Sequence, residues 1–537
     1  MMMKHRILLL LLCLSLVCGL CACAAPADAS AQTDETPAAQ EKASAAVPTS
    51  TAADGVETVV QFTDESISVS GSGCEADGTA LTISESGVYR LSGSCADGSV
   101  KVKKGTPGVT LVLDGLTLAS ADTAPITCGK SSQVTIEAAA GTVNTLSDSE
   151  RNNDDTYPAN ENAENAVLKC KDGSQVTLCG TGALTITANG KNGIKSGAST
   201  DEDGEASLTV RELTLTISAP VNDAINAEQL LTIESGELTI SAADDALHCD
   251  YTLQIGAEGT DGPAISITDC YEGLEAAALR IASGDIRIRA SDDCLNAANS
   301  DLSGFGFSMD ISGGTLNAYT TSGDGFDSNG SMSISGGTIC VWTANTADNQ
   351  PLDADGTITI TGGTVLAAGG SAGMGMRLSA TQPYVTFGQS GGMQPGGRGA
   401  DALIASGSTL AVSDGTDTIF SMEAPCGARF VFFSAPELTE GASYTLLSDG
   451  ESAASARAQT GESQFGFGDM PGGRPGGFEP NGEAPSDLPG GETPPTPPDG
   501  GTPPEKPSGA SMPEPPDGSA PPENPDDAPE PPDSGSL

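Results

Sequence analysis

Five stretches of the chain overlay without a gap: LTIESGELTISA (231–242), LRIASGDIRIRA (279–290), MDISGGTLNAYT (309–320), MSISGGTICVWT (332–343) and ITITGGTVLAAG (358–369). In each, apolar residues alternate, a glycine-containing turn intervenes, and alternation resumes. Alternation at period 2 is the signature of strands, so each unit predicts two short strands around a tight turn. Between the units one apolar position recurs: Leu168, Ile194, Ile225, Leu247, Leu274, Leu295, Phe326 and Leu352, with Ile126 as an earlier member. The gaps are 26, 31, 22, 27, 21, 31 and 26 residues. Units of 20 to 30 residues, rich in strands and without helical spacing, predict an all-β parallel β-helix, a solenoid whose neighbouring strands lie about 4.8 Å apart. A β-sandwich array is the alternative, but it has no reason to keep one column in register.

Two positions after the apolar residue stand small ones, among them Cys128, Cys170 and Cys249, with Cys294 beside the column. These read as small inward-facing residues, a role that free cysteine fills well. Cys74 and Cys95 flank an expected hairpin and are a weaker disulfide candidate.

Acids form further columns. Two positions before the apolar residue stand Asp223, Asp245, Glu272, Asp293 and Asp324; one position after it stand Lys169, Lys195, Asn226, His248, Glu275, Asn296, Asp327 and Asp353. Stacking places carboxylates about 5 Å apart. Ionised groups at that spacing repel, so some must hold protons or share a cation. A donor set of oxygens with few sulfur or imidazole partners suits calcium. The expected clusters are Asp245 with Glu272 and Glu275, and Asp293 with Asp324 and Asp327; Asp223 belongs to the same column. Asp244 and Asp292 flank them. The competing reading is a ladder in which Asp and Asn side chains cap backbone N–H groups. His248 reads as a polar member of the turn column, and Lys169 and Lys195 as cations that offset the acids.

Trp342, the single tryptophan, and Tyr319 occupy equivalent places in successive units. They read as either a short platform for stacking sugar rings or as core residues.

The termini differ in composition. MMMKHRILLLLLCLSLVCGLCAC has a basic start, an apolar run and a small-residue end, which predicts a signal peptide over residues 1–22. Its last residues resemble a lipobox, which implies cleavage before Cys23 and lipidation of that cysteine. Residues 23–54 read as a flexible tether. From residue 456 the chain reads as a disordered tail rich in Pro, Gly and acids, and a chain ending at Ser452 is expected to melt as the full chain does. Residues 461–537 carry 15 acids and two bases, contributing −13 to a formal net charge of −49. The remaining −36 lies mostly in the middle. That charge disfavours nucleic acid and anionic membrane as direct partners and leaves the lipid as the membrane contact.

The knots NDAIN, DDALH, EGLEA, DDCLN and DGFDS, each followed by a strand–turn–strand unit, resemble those of bacterial calcium-bound, right-handed β-helix carbohydrate-binding proteins. Those proteins have a shape like that of polysaccharide lyases. ARFVFFSAPELTEGASYTLLSDG (428–450) is similar to their closing strands, and the resemblance spans about 55–455. It implies calcium in the acid columns and binding of cellulose or of pectin and related uronate polymers. The long insertions at 147–165 and 385–400, and Gln350–Pro351 in the last knot, depart from the pattern and put calcium at the last coil in doubt. The combined expectation is an extracellular, lipid-anchored, monomeric polysaccharide-binding protein. A calcium-dependent lyase would need a base beside the metal, and the nearest basic cluster is Arg280, Arg287 and Arg289. A structural adhesin is the third possibility.

Overall fold

The computed structural model describes residues 57–200, 204–302, 304–344, 349–370, 376–388 and 402–464. The expected signal peptide, Cys23, the tether and the tail beyond 464 lie outside the described residues, as does most of the insertion at 385–400. The chain divides into units Met1–Gly473 and Arg474–Leu537, the second wholly outside them.

Among the described residues every regular element is a strand. Thirty-four strands form one sheet, mostly parallel, that rings round as the chain winds. The predicted apolar column stacks in register: Ile126, Leu168, Ile194, Ile225, Leu247, Leu274, Leu295 and Phe326 pair in succession, and Leu352 joins Phe326 through a parallel bridge. All are buried. The two strands of each unit build two further ladders. Leu231, Leu253, Leu279, Met309 and Met332 line one. Leu238, Ile265, Ile286, Leu316 and Ile339 line the other. Inward residues of all three ladders meet in one continuous core. Cys128 and Cys170 stack in register within it, and Cys249 and Cys294 are buried there too. The ten cysteines among the described residues are free, so Cys74 and Cys95 are not bridged.

The paired glycines of the turns have separate duties. A Cβ on Gly313, Gly336 or Gly362 would lie 2.2–2.3 Å from a carbonyl oxygen of the preceding unit. Gly314, Gly337 and Gly363 have φ of +84° to +89°, a region that side chains disfavour.

The C-terminal part changes direction. Phe430–Ser434 pairs antiparallel with both Thr364–Gly369 and Arg377–Gly388. A separate antiparallel sheet of Thr418–Glu423, Thr409–Ser413, Ser443–Ser448 and Glu451–Arg457 accompanies it. A second core, including Leu366, Val385, Leu410, Val431, Phe433 and Leu446, lies between them. Two expectations are corrected here. Trp342 is 1 % exposed and belongs to this second core, so its ring is not a platform; the strand Thr338–Thr343 is covered on both faces. The ordered region also does not end at 455. Residues Glu451–Arg457 form an edge strand, and Gln459–Gln464 pairs with Arg377–Gly388. These strands have little apolar alternation, because they are held by backbone pairing rather than by buried side chains.

Candidate metal centre

The acid columns sit at the corner where each winding enters the ladder of Leu247, Leu274, Leu295 and Phe326. Because the apolar residue points inward, its neighbour one position on points outward at every level. His248, Glu275, Asn296 and Asp327 therefore follow one another in register on the outer surface. Asp353 extends the row past the Phe326–Leu352 bridge.

The column two positions earlier behaves partly as the backbone ladder. Asp223 Oδ1 accepts the Asp245 N–H at 3.2 Å, Asp293 Oδ1 that of Asp324 at 2.6 Å, and Asp324 Oδ1 that of Gln350 at 2.6 Å. One oxygen of each carboxylate is thus committed to the fold; the second oxygen of Asp223 accepts from Asn226 Nδ2 at 2.6 Å, while those of Asp293 and Asp324 are left for other partners. Burial lifts their proton affinity: Asp293 and Asp324 are pushed up to about 7. Asp223 is raised for the same reason, against the Asn226 hydrogen bond.

Around His248 the structure assembles Asp245 and Glu275, as expected, but with the imidazole between them. Nδ1 lies 3.0 Å from Asp245 Oδ2 and 2.5 Å from Glu275 Oε2, while Nε2 lies 2.9 Å from Asp250 Oδ1. Burial alone would favour the neutral ring, but three carboxylates overrule it and raise its affinity for the proton well above that of a free imidazole. Glu275 is pushed up by burial and brought below its ordinary value by the imidazolium. Burial lifts Asp245 to about 7. Glu272, expected in this cluster, instead accepts from Asn296 Nδ2 at 3.0 Å; buried among acids, it rises to about 8. Asp223 and Asp245 meet the flanking Asp244 in a second group.

Further along, Asp324 and Asp327 gather with Asp353, the member that Gln350 and Pro351 had put in doubt. Asp293 is not in this group; its carboxylate caps Asp324. Burial raises all three, Asp324 to about 7 and Asp327 to about 6. None of the three forms an ion pair among the described residues. Gln350, 6 % exposed, donates from Nε2 to Asp353 Oδ2 at 2.9 Å, and its Oε1 is buried without a partner. Asn296 Oδ1, one level below Asp327, is likewise unpartnered. Three carboxylates and orphaned amide oxygens form a donor set that suits a hard cation. His248, Asp250 and Asp353 were not assigned to a site from sequence. For His248 and Asp353 the position one residue past an apolar column member was the available signal, but Glu275 and the Asp324–Asp327 pair lie on neighbouring windings.

At the other end of the row, Lys195 Nζ donates to Asn226 Oδ1 at 3.2 Å and approaches Glu228 at 4.0 Å. Burial and Lys195 lower the affinity of Lys169 for its proton. The basic cluster considered for a lyase lies elsewhere. Arg287 pairs with Asp285 at 2.8 Å, and Arg289 lies over the partly buried Tyr319 ring at 5.4 Å.

Residues 77–373 match the family model described as carbohydrate-binding domain-containing protein. A protein of that description from Acetivibrio thermocellus is 35 % identical over 115 residues, which is 21 % of this chain and 39 % of the relative. The match thus spans well under half of that relative. A solved structure, described as the polysaccharide lyase-like protein from C. thermocellum in a gadolinium derivative, aligns with 21 % identity and a TM-score of 0.31. It covers 58 % of this chain and 94 % of that one.

Proposed function

The chain belongs to the family of carbohydrate-binding domain-containing proteins, and we propose that it is a non-catalytic polysaccharide-binding protein built on a right-handed parallel β-helix. Its ligand is cellulose or an acidic polymer such as pectin. The observation that carries the metal-dependent part is the group of Asp324, Asp327 and Asp353, without an ion pair among the described residues and accompanied by the orphaned Gln350 Oε1. A calcium ion held there would neutralise the repulsion and offer coordination positions to sugar carboxylates. The chain's own residues do the rest. The ladder bonds from Asp293 and Asp324 fix the carboxylates to the backbone, and Gln350 orients Asp353.

The protein is carried on the outer cell surface by a lipid on Cys23, supported by the LCAC stretch at the end of an apolar run. Membrane partitioning is expected to vanish in Cys23→Ser; a wild-type protein that is freely soluble and begins elsewhere would contradict the anchor.

Binding isotherms with polygalacturonate, with and without chelator, test the function. Calcium-dependent binding that Asp327→Asn weakens is expected. Failure to bind either cellulose or polygalacturonate at any calcium level would refute polysaccharide binding.

A further inference from the structure

Among the described residues only two aromatic side chains are exposed, Tyr271 at 46 % and Phe305 at 38 %. Both border the acid columns. Tyr271 stands three residues before Leu274, on the entering side of the corner. Its backbone is held at both neighbouring levels, by Asp244 O and the Asp292 N–H, each at 2.9 Å. The residue is therefore anchored through its backbone while nearly half of its surface faces water.

Phe305 lies on the leaving side. The strand register slips between Cys249 and Thr252, so Asp250 and Tyr251 bulge out of the ladder. The loop after Leu295 then folds back across two windings, and Asn299 Nδ2 donates to Asp250 O at 3.0 Å. This sets Phe305 edge-on to Tyr251, with centroids 6.2 Å apart and planes at 78°, and tilted against Phe307 at 5.7 Å. Windings about 4.8 Å apart make this aromatic border roughly 10 Å long. A chain that needed only to bury the loop could place an aliphatic residue there; an exposed ring on each side of a polar corner is the arrangement that grips a pyranose. Its C–H face meets the electron-rich aromatic face, and its hydroxyls donate to carboxylates.

We propose that Tyr271 and the Tyr251–Phe305–Phe307 cluster form a second binding surface, for an uncharged pyranose chain laid across the corner. The neutral class follows from charge. Asp245, Asp250, Glu272, Asp292 and Asp293 face this surface, and His248 is already engaged with three carboxylates. A uronate carboxylate would add to the repulsion that these acids already feel, whereas neutral hydroxyls meet acceptors. The surface does not require calcium, and it rests on the polysaccharide-binding reading above.

The test uses the full chain with two soluble polymers, neutral hydroxyethylcellulose and acidic polygalacturonate, in chelator and in calcium. Wild type is expected to bind hydroxyethylcellulose equally in both. Tyr271→Ala and Phe305→Ala should each weaken that binding about tenfold, and Tyr271→Phe should retain it. Binding of polygalacturonate should be unchanged by either alanine. Trp342, buried and remote in the second core, reports through its emission that each variant is folded. Tyr271→Ala is the safer variant, since Tyr271 is the more exposed of the two. Neutral binding that survives both alanine variants, or that needs calcium, would overturn the aromatic surface while leaving polysaccharide binding intact. Binding of polygalacturonate alone would overturn the neutral class. Failure to bind both polymers would remove the broader reading and this one with it.

Discussion

The two ends of one acidic row solve the same electrostatic problem differently. Around Leu247 and Leu274, Asp245, Asp250 and Glu275 close upon the His248 imidazole, which serves as a built-in counter-ion. Around Phe326 and Leu352, Asp324, Asp327 and Asp353 gather with no ion-pair partner among the described residues. The backbone is nearly the same, with the apolar residue inward and the next residue outward. The difference is the side chain at one position: histidine at 248, aspartate at 327. An acid column is therefore not by itself a metal seat. Where the protein supplies the positive charge the column is a strut, and where it does not, the charge must come from protons or from an added cation.

The largest effect is expected from removing the built-in cation. His248→Ala leaves three carboxylates facing one another, two of them largely buried, and should cost about 3 kcal/mol in denaturant unfolding. A change near zero would mean that the imidazole is not the counter-ion. Calcium added to that variant should recover part of the loss, since it would make the first region resemble the second.

Calcium should stabilise the wild type by about 2.7 kcal/mol at a hundred times its Kd, through binding to the folded state. Asp327→Asn should erase most of this response and Glu237→Gln, an exposed residue that begins the strand Glu237–Ala242 outside the acid columns, none of it. Magnesium should substitute poorly, because it demands a tighter octahedral shell. Thermal melts and elemental analysis of the purified protein check this; no bound calcium and no response to chelator would reduce the second region to a proton-sharing cluster.

The pH response separates the regions further. Asp324 and Asp327 are raised to about 7 and about 6, against about 3.9 for an unfolded aspartate. Between these limits the folded state binds more protons than the unfolded state, so stability falls as pH rises from about 4 to about 7. Asp245, Glu272 and Asp293, also raised, add to the same slope. His248 works in the same direction but with its folded value far above neutrality. Its contribution is whole below about 6.5 and declines as pH rises above that toward the raised folded value. Chelated protein should therefore melt higher at pH 5 than at pH 8, and calcium should flatten the difference by taking the place of the protons.

The smallest effect concerns the far end of the chain. Truncation after Gln464 should leave the melting temperature unchanged, whereas truncation after Ser452 removes most of Glu451–Arg457 and all of Gln459–Gln464 and should lower it by a few degrees. Equal melting of the two would detach these strands from the fold.

The column of Leu247, Leu274 and Leu295 was legible in the chain because it repeats locally, with the same alternation and the same turn at each level. The SGG turns were legible for a related reason: each glycine answers a constraint posed by the neighbouring winding. The ordered strand at 459–464 was not, since its pairing runs through backbone groups and leaves no apolar pattern. The His248 cluster was half legible. Its column was visible, but Glu275 lies 27 residues on and Asp250 reaches the ring only because the strand bulges.

What the sequence alone determined was therefore the period: all-β units, their inward column, and the stacking of acids outside it. Those follow from alternation, which each segment carries within itself. The tertiary structure decided which acids share a charge and which aromatic rings meet water. Trp342 and Tyr271 show why. Each stands in a strand or turn that reads as half exposed, but strands near residues 410 and 446 come back to cover Trp342, while Tyr271 keeps 46 % of its surface exposed. Burial depends on what returns from far along the chain, and no local pattern contains that information.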